Sequence, residues 1–343
     1  MIKPSTFFIN VTNRCNLTCK HCYALKDGIE MTPEVLHIAN DYVVEQINTT
    51  NEEDYVVNYT GGEVGVYDQN AIIDSVNYIK DCCKHKNIKF IYQSNFVYKI
   101  TPLHFETMKL MDEIASSYDI GTCRFKSSRE KKLWLDNIHY LRKLFSNKDF
   151  RLSIVVNTEM TKVPPQVLLD LIMSLDVHIL EVNSMQSDIM SGTTTAYLHM
   201  LPPTNELREW LYQLFREYET VRKHYDLIIP DFECLRNSFE GKNFWVYSRE
   251  CCLRNRTISA DGKLSTCLMT QIAPIYDLVA KKELNSLDAW HQSELTLPNI
   301  CRECKYLRYC KGGCQFYQFD EYGCATPTKI YDYLELKREM TDE

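Results

Sequence analysis

Cys15-Asn16-Leu17-Thr18-Cys19-Lys20-His21-Cys22-Tyr23 follows directly on the apolar stretch TFFINVTNR of residues 6–14. The spacing is C-x3-C-x2-C, so three thiols fall within eight residues. Three thiolates hold three corners of an iron–sulfur cube and leave one iron open, whereas a closed structural site takes four ligands. An open iron is a place to bind and activate a molecule, so the spacing points to chemistry rather than scaffolding. Zinc is the competing reading, because thiolate sites suit either metal.

Working outward, short β-rich runs alternate with helical patterns through about the first 220 residues. Strands are expected at Thr6–Val11, Tyr55–Tyr59, Ile88–Gln93, Glu113–Ile120, Arg151–Val156 and His178–Asn183. Helices are expected near Pro33–Ile47, Asn70–His85, Pro102–Leu110, Lys132–Phe145, Pro165–Leu175 and Asn205–Tyr218. Most of the strand runs are apolar, as in a parallel sheet covered by helices. Thr32 before Pro33 and Thr101 before Pro102 read as N-caps with proline at the first helical position. Six β/α units imply an α/β fold, a partial (β/α)6 TIM-like barrel with its active face at the carboxyl ends of the strands. The cysteine cluster follows the first strand, on that face.

Near residue 225 the character changes: Asp231–Trp245 reads as irregular, and cysteines become dense from Cys251 to Cys324. The expected division is a barrel over 1–225 and a small cysteine-rich iron–sulfur domain over 226–343. The first strand begins almost at once, so no leader-recognition module is expected ahead of it.

The chain has 343 residues, is 45% hydrophobic and carries a net charge of −7, which argues against a general nucleic-acid binder. Its best basic stretch, Arg124 to Lys132, reads as a solvated helix start. With no membrane-length apolar run and no secretion signal, the clustered spacings among the 15 cysteines read as metal ligation in a cytoplasmic protein rather than as disulfides.

The second expected strand runs into Thr60-Gly61-Gly62-Glu63. Two glycines after a strand allow close approach of a ligand to the backbone, and the glutamate can pair with an ammonium group. Together with the opening cysteines, and with His21 and Tyr23 around the third of them, this resembles the radical S-adenosylmethionine (SAM) enzymes. The resemblance implies a [4Fe–4S] cluster on Cys15, Cys19 and Cys22 whose open iron chelates SAM. One electron then yields methionine and a 5′-deoxyadenosyl radical that abstracts hydrogen from carbon. It further implies SAM contacts from Tyr23, Gly61, Gly62, Glu63, Asn95 after Ser94, Ser117 and Asp119, with Arg124 or Arg129 for the SAM carboxylate. Where the family often continues with proline, this chain has Val64 and Gly65. Cys123, after the fourth strand, is a candidate hydrogen-atom donor; Cys82 and Cys83, late in a helix, read as bystanders.

The later cysteines run C-x9-G-x4-C from Cys252 through Gly262 to Cys267, then Cys301, Cys304, Cys310, Cys314 and Cys324. This order resembles the SPASM extension of radical SAM enzymes, with ISADGKLSTC as its β-hairpin and Asp261-Gly262 as the turn. The resemblance implies two auxiliary [4Fe–4S] clusters. Cys252, Cys267 and Cys314 would serve the first, and Cys301, Cys304, Cys310 and Cys324 the second. Seven ligands leave one site short of four; Cys251 or Cys234 could supply the eighth, or the site could be open to substrate.

Such enzymes mostly modify peptides or proteins, so a peptide or protein substrate is expected. A separate leader-binding protein and an electron donor such as flavodoxin or ferredoxin are the further partners, with no nucleic acid and no membrane. Crosslinking, epimerisation or oxidation are the reactions the family offers. The alternatives are dehydrogenation of a small-molecule alcohol and sulfatase maturation. The sulfatase branch carries an aspartate directly after the second SPASM cysteine, where this chain has Leu268. A non-catalytic iron–sulfur or zinc protein is the alternative outside enzymes.

Overall fold

Six strands pair in chain order, each parallel to the last: β1 (Thr6–Thr12), β2 (Asp54–Gly61), β3 (Asn87–Gln93), β4 (Glu113–Ser117), β5 (Asp149–Val156) and β6 (Ile179–Ser184). The computed structural model describes residues 4–22, 24–50, 52–121, 124–185, 199–242, 251–271, 273–286, 296–314 and 319–342. The crossovers carry α1 (Pro33–Thr49), α2 (Gln69–Cys82), α3 (Pro102–Lys109), α4 (Ser128–Leu144) and α5 (Pro165–Ser174), and α6 (Thr204–Val221) follows β6. The fold is the expected (β/α)6 arrangement, left open. On the β6 side a single parallel bridge joins Ile179 to Ile228.

Helix starts are specified locally. Thr32 accepts from the Val35 N–H (3.3 Å) ahead of Pro33, and the Thr101 N–H donates to His104 Nδ1 (3.1 Å) ahead of Pro102. At α4, Ser127 accepts from the Glu130 N–H (3.2 Å), which makes most of the basic stretch the solvated helix start expected.

The sheet has two unlike faces. Phe7, Ile9, Val11, Tyr55, Val57, Tyr59, Phe90 and Tyr92 are fully buried under the helices. Tyr59 Oη meets Ser75 Oγ at 2.7 Å, and Trp134 Nε1 donates to Ser116 Oγ at 3.0 Å. The alternate residues face the concave side and are largely polar. Asn58 donates to Gln93 (3.1 Å), and a row of charges crosses four strands: Lys89–Glu113 (2.8 Å), Glu113–Arg151 (2.7 Å), Arg151–Glu181 (3.6 Å). A parallel sheet covered on both faces would have apolar residues at these positions; an open barrel covers only its outer face with helices.

Two expectations change. Residues 230–239 form α7 (Pro230–Phe239) rather than an irregular segment. Pro230 opens it, Asp231 and Glu233 occupy its first turn, and Phe232 and Leu235 are buried at helical spacing. Residues 243–245 of that stretch lie outside the described residues. β4 stops at Ser117, short of Ile120, because the Asp119 side chain takes the next rung: its Oδ1 accepts the Val155 N–H at 2.8 Å.

The sheet continues past β1 on its other edge. β7 (Asn255–Ile258) pairs parallel to β1, and β8 (Lys263–Ser265), β9 (Tyr276–Asp277) and β10 (Lys282–Glu283) follow antiparallel. The expected hairpin is β7–β8: the Ser259 carbonyl accepts from the Gly262 N–H (2.8 Å), and Gly262 has φ +80°, the left-handed position such a turn gives to glycine. A separate small hairpin joins β11 (Phe319–Asp320) to β12 (Gly323–Cys324) before the C-terminal helix Thr328–Asp342. No helix among the described residues is long and apolar enough to cross a membrane.

Candidate active site and metal centres

Parallel pairing brings the loops after β1 to β5 to one edge of the sheet. The cysteine loop is fixed there by the end of β2. The Thr12 carbonyl accepts the Gly62 N–H (2.6 Å), and the Arg14 carbonyl accepts the Glu63 N–H (2.8 Å). A Cβ on Gly61 would run into the Thr12 carbonyl, and one on Gly62 into the Arg14 carbonyl. The glycines therefore make room for the chain's own backbone on the way to Cys15. Gly61 also has φ +148°.

Glu63 is buried, and its carboxylate accepts three hydrogen bonds: Gly65 N–H (2.8 Å), Ser94 Oγ (2.7 Å) and Asn95 N–H (2.7 Å). Burial pushes its pKa up, and those three donors pull it back in part. Asn95 ties the third strand's end to the cysteine loop: its Nδ2 donates to Asn16 Oδ1 (2.7 Å) and lies 3.8 Å from Cys15 Sγ. Asn16 in turn donates to the Val97 carbonyl (2.7 Å), and the Leu17 N–H points at Cys15 Sγ (3.3 Å). Gly65 leaves its Cβ direction to the Tyr98 ring, and the Gly65 carbonyl meets His104 Nε2 at 2.9 Å.

On the other flank lies a buried ionic knot. Asp119 Oδ2 is held by Arg124 through Nε (2.9 Å) and Nη2 (2.7 Å), and His21 Nε2 approaches it at 3.4 Å. Burial raises the Asp119 pKa, but Arg124 and His21 together outweigh it and keep the carboxyl below its usual range. Arg124 is thus committed to Asp119, and Arg129 stands exposed on the first turn of α4. Ser117 ends β4 opposite Ser153 on the concave face. Tyr23 and Cys123 lie outside the described residues.

The three thiols feel one another. Burial pushes Cys15 up to about 11, against the Leu17 N–H, while Glu63, Cys22 and Cys19 add to the rise. Cys19 is raised chiefly by burial as well, with Arg124 opposing and Cys22 adding. His21 Nδ1 is buried without a partner. Neighbouring thiols held protonated by burial and mutual repulsion become thiolates when a metal supplies the compensating charge. The donor set fits a three-cysteine iron–sulfur centre.

Cys301, Cys304, Cys310 and Cys324 line one cavity of about 170 Å³, with Arg208, Tyr306, Phe319 and Thr326 around them. Burial pushes Cys310 up to about 11, and the thiols of Cys324, Cys304 and Cys301 add to it. Four thiols around one cavity suit a cluster. Among the described residues no group of three His, Cys, Asp or Glu side chains stands close enough to hold a single metal ion.

Cys267 caps the 3₁₀ turn Leu268–Thr270 and accepts from the Met269 N–H at 3.3 Å; Cys314 is half-buried. The side chains of Cys251 and Cys252 lie outside the described residues. Cys234 sits half-buried on α7, near Tyr331 and on the side of Cys310. Cys82 is exposed and Cys83 buried at the end of α2.

Sequence reading missed Asn16, Tyr98 and Gln271. Tyr98 Oη meets Ser94 Oγ at 2.8 Å, and Gln271 Oε1 accepts from Asn10 Nδ2 at 2.8 Å. These partners stand far apart in the chain, and nothing local marks them.

No family model and no curated protein matches the chain. Solved structures do. One, native anSMEcpe with bound AdoMet (SAM) and the Cp18Cys peptide, superposes with a TM-score of 0.76 at 15% identity, covering 98% of both chains. Another, Streptococcus suis SuiB bound to the precursor peptide SuiA, has a TM-score of 0.63 at 16% identity, over 92% of this chain and 72% of that one. SuiB bound to S-adenosylmethionine gives 0.62 at 15% identity, over 91% and 73%. The chain therefore has the fold of these structures over nearly its whole length.

Proposed function

We propose that this chain is a radical SAM enzyme acting on a peptide or protein, with a catalytic barrel over residues 1–225 and a SPASM-like auxiliary domain over 226–343. The observation that carries the reading is the three-thiol loop after β1, bound through Asn16 and Asn95 to the same strand ends that hold Glu63. Cys15, Cys19 and Cys22 would hold a [4Fe–4S] cluster. That cluster with SAM supplies hydrogen-atom abstraction from carbon. The chain's part is to place and protect. Gly61 and Gly62 bring the backbone of residues 12–14 against β2, and Glu63 lies beside Cys15 as an anion for the SAM ammonium. Asp119 and Arg124, paired with each other, close the opposite flank with His21 beside them. Cys301, Cys304, Cys310 and Cys324 would hold an auxiliary cluster, and Cys252, Cys267 and Cys314 three corners of another.

A peptide substrate is supported by structures of this fold that contain peptides. Crosslinking, epimerisation and oxidation all fit this machinery. Sulfatase maturation is disfavoured, since Leu268 offers no base where that branch has an aspartate. A low-potential one-electron donor such as flavodoxin or ferredoxin and a cytoplasmic setting complete the proposal.

The test is anaerobic reconstitution with iron and sulfide, followed by incubation with SAM and dithionite. About twelve irons per chain with release of 5′-deoxyadenosine is expected. A zinc-filled tail with about four irons would sink the SPASM assignment, and a fully loaded protein that leaves SAM intact would sink the enzyme assignment.

A further inference from the structure

The four-thiol cavity is braced by a helix of the barrel. At the start of α6, Thr204 donates to the Asp320 carboxylate through its N–H (2.8 Å) and Oγ1 (2.5 Å). Four residues on, and so on the same face of the helix, Arg208 donates from Nη2 to the Tyr322 carbonyl (2.7 Å) and from Nη1 to the Cys324 carbonyl (3.2 Å). Both ends of the β11–β12 hairpin are thereby pinned, and that hairpin carries Cys324, the last of the four thiols.

Arg208 also lines the cavity itself, and among the described residues lining it Arg208 is the one charged side chain. The nearby carboxylate, Asp320, is turned to Thr204 and to the Tyr322 N–H (2.9 Å). A cluster on four thiolates is anionic and gains another negative charge on reduction. A fixed guanidinium beside it stabilises the reduced form more than the oxidised one and so raises the potential.

We propose that Arg208 is a positioning residue that fixes Cys324 and sets the reduction potential of the cluster held by Cys301, Cys304, Cys310 and Cys324. The proposal rests on reading these cysteines as iron ligands, as above.

The experiment uses the reconstituted full chain, with iron counted and each cluster's potential read by EPR-monitored redox titration. The variants are C324S, which identifies the signal of this site, and R208Q and R208K. R208Q is expected to keep its iron and to shift that one signal to lower potential, the other signals staying put. R208K keeps the charge and is expected to hold the potential, while giving up iron to a chelator faster because an ammonium does not span both carbonyls. A fully loaded R208Q with every potential unchanged, or with all signals shifted alike, overturns the proposal. If R208Q fails to fill the site, R208K decides: filling supports a role for the charge, and failure in both reduces Arg208 to a structural clamp. If C324S alters neither iron content nor any signal, it is the ligand reading that fails, independently of Arg208.

Discussion

Arg124 is a cation taken out of water, and it is tolerable only because Asp119 meets it with two hydrogen bonds in a site with almost no solvent. Removing one charge of such a pair leaves the other buried and uncompensated, which costs about 3–5 kcal/mol. Asp119→Asn keeps the carbonyl that accepts the Val155 N–H and deletes only the charge. The variant is expected to lose about 3 kcal/mol, read by urea unfolding of the metal-free protein. A loss under about 1 kcal/mol would mean that Arg124 finds water or another partner. Glu63 is the opposite case: its three donors are backbone or neutral groups, so burial wins and its pKa rises. The two carboxylates are thus driven apart because Arg124 bonds Asp119 directly but is the smallest of the influences on Glu63.

At the scale of elements, the β11–β12 hairpin is four paired residues held to α6 by Asp320 and by the Arg208 guanidinium. Burial pulls the Asp320 pKa up, but the bonds from Thr204 and Tyr322 outweigh it and hold it below the usual carboxylate value. A depressed folded pKa contributes stability above the unfolded value, about 3.9, and loses it as pH falls through the folded one. Asp320→Asn is therefore expected to lower the melting temperature of the metal-free protein at pH 7 and to differ less from the parent as the pH falls below the unfolded value. An equal gap at both pH values would show that the docking does not depend on ionisation. The Gly61-Gly62 pair works at this scale too, since it lets the end of β2 clasp residues 12–14 at backbone distance.

At the scale of the molecule, the barrel sheet and the hairpin that follows it are one hydrogen-bonded structure through β1–β7. Gln271 reinforces the seam from the cysteine-rich side, accepting from Asn10 in β1 and donating to the Leu268 carbonyl (2.9 Å). Gln271→Leu leaves Asn10 Nδ2 with only the 3.3 Å contact to Asn13. The expected cost is about 1–3 kcal/mol, with faster amide hydrogen exchange in β1 and β8 together. Exchange that quickens in β8 alone would mean that the two segments open independently.

The chain's linear pattern was enough for the six β/α units, since each strand and helix carries its own period, caps and apolar run, and parallel order follows from alternation. It also singled out the cysteines proposed as cluster ligands, because in the opening group and in Cys301 to Cys310 they lie only a few residues apart. It misled where local pattern is a poor guide: α7 has a short amphipathic face among polar residues, and β4 ends where a side chain, Asp119, replaces a backbone rung. What only the tertiary structure decided is which side chains meet. Arg124 rather than Arg129 is buried against Asp119, and Arg208 reaches the cavity of Cys301, Cys304, Cys310 and Cys324 from α6. The physical reason is separation: Arg208 and Cys324 lie 116 residues apart, and no period or propensity carries across that distance until the sheet and helices have packed.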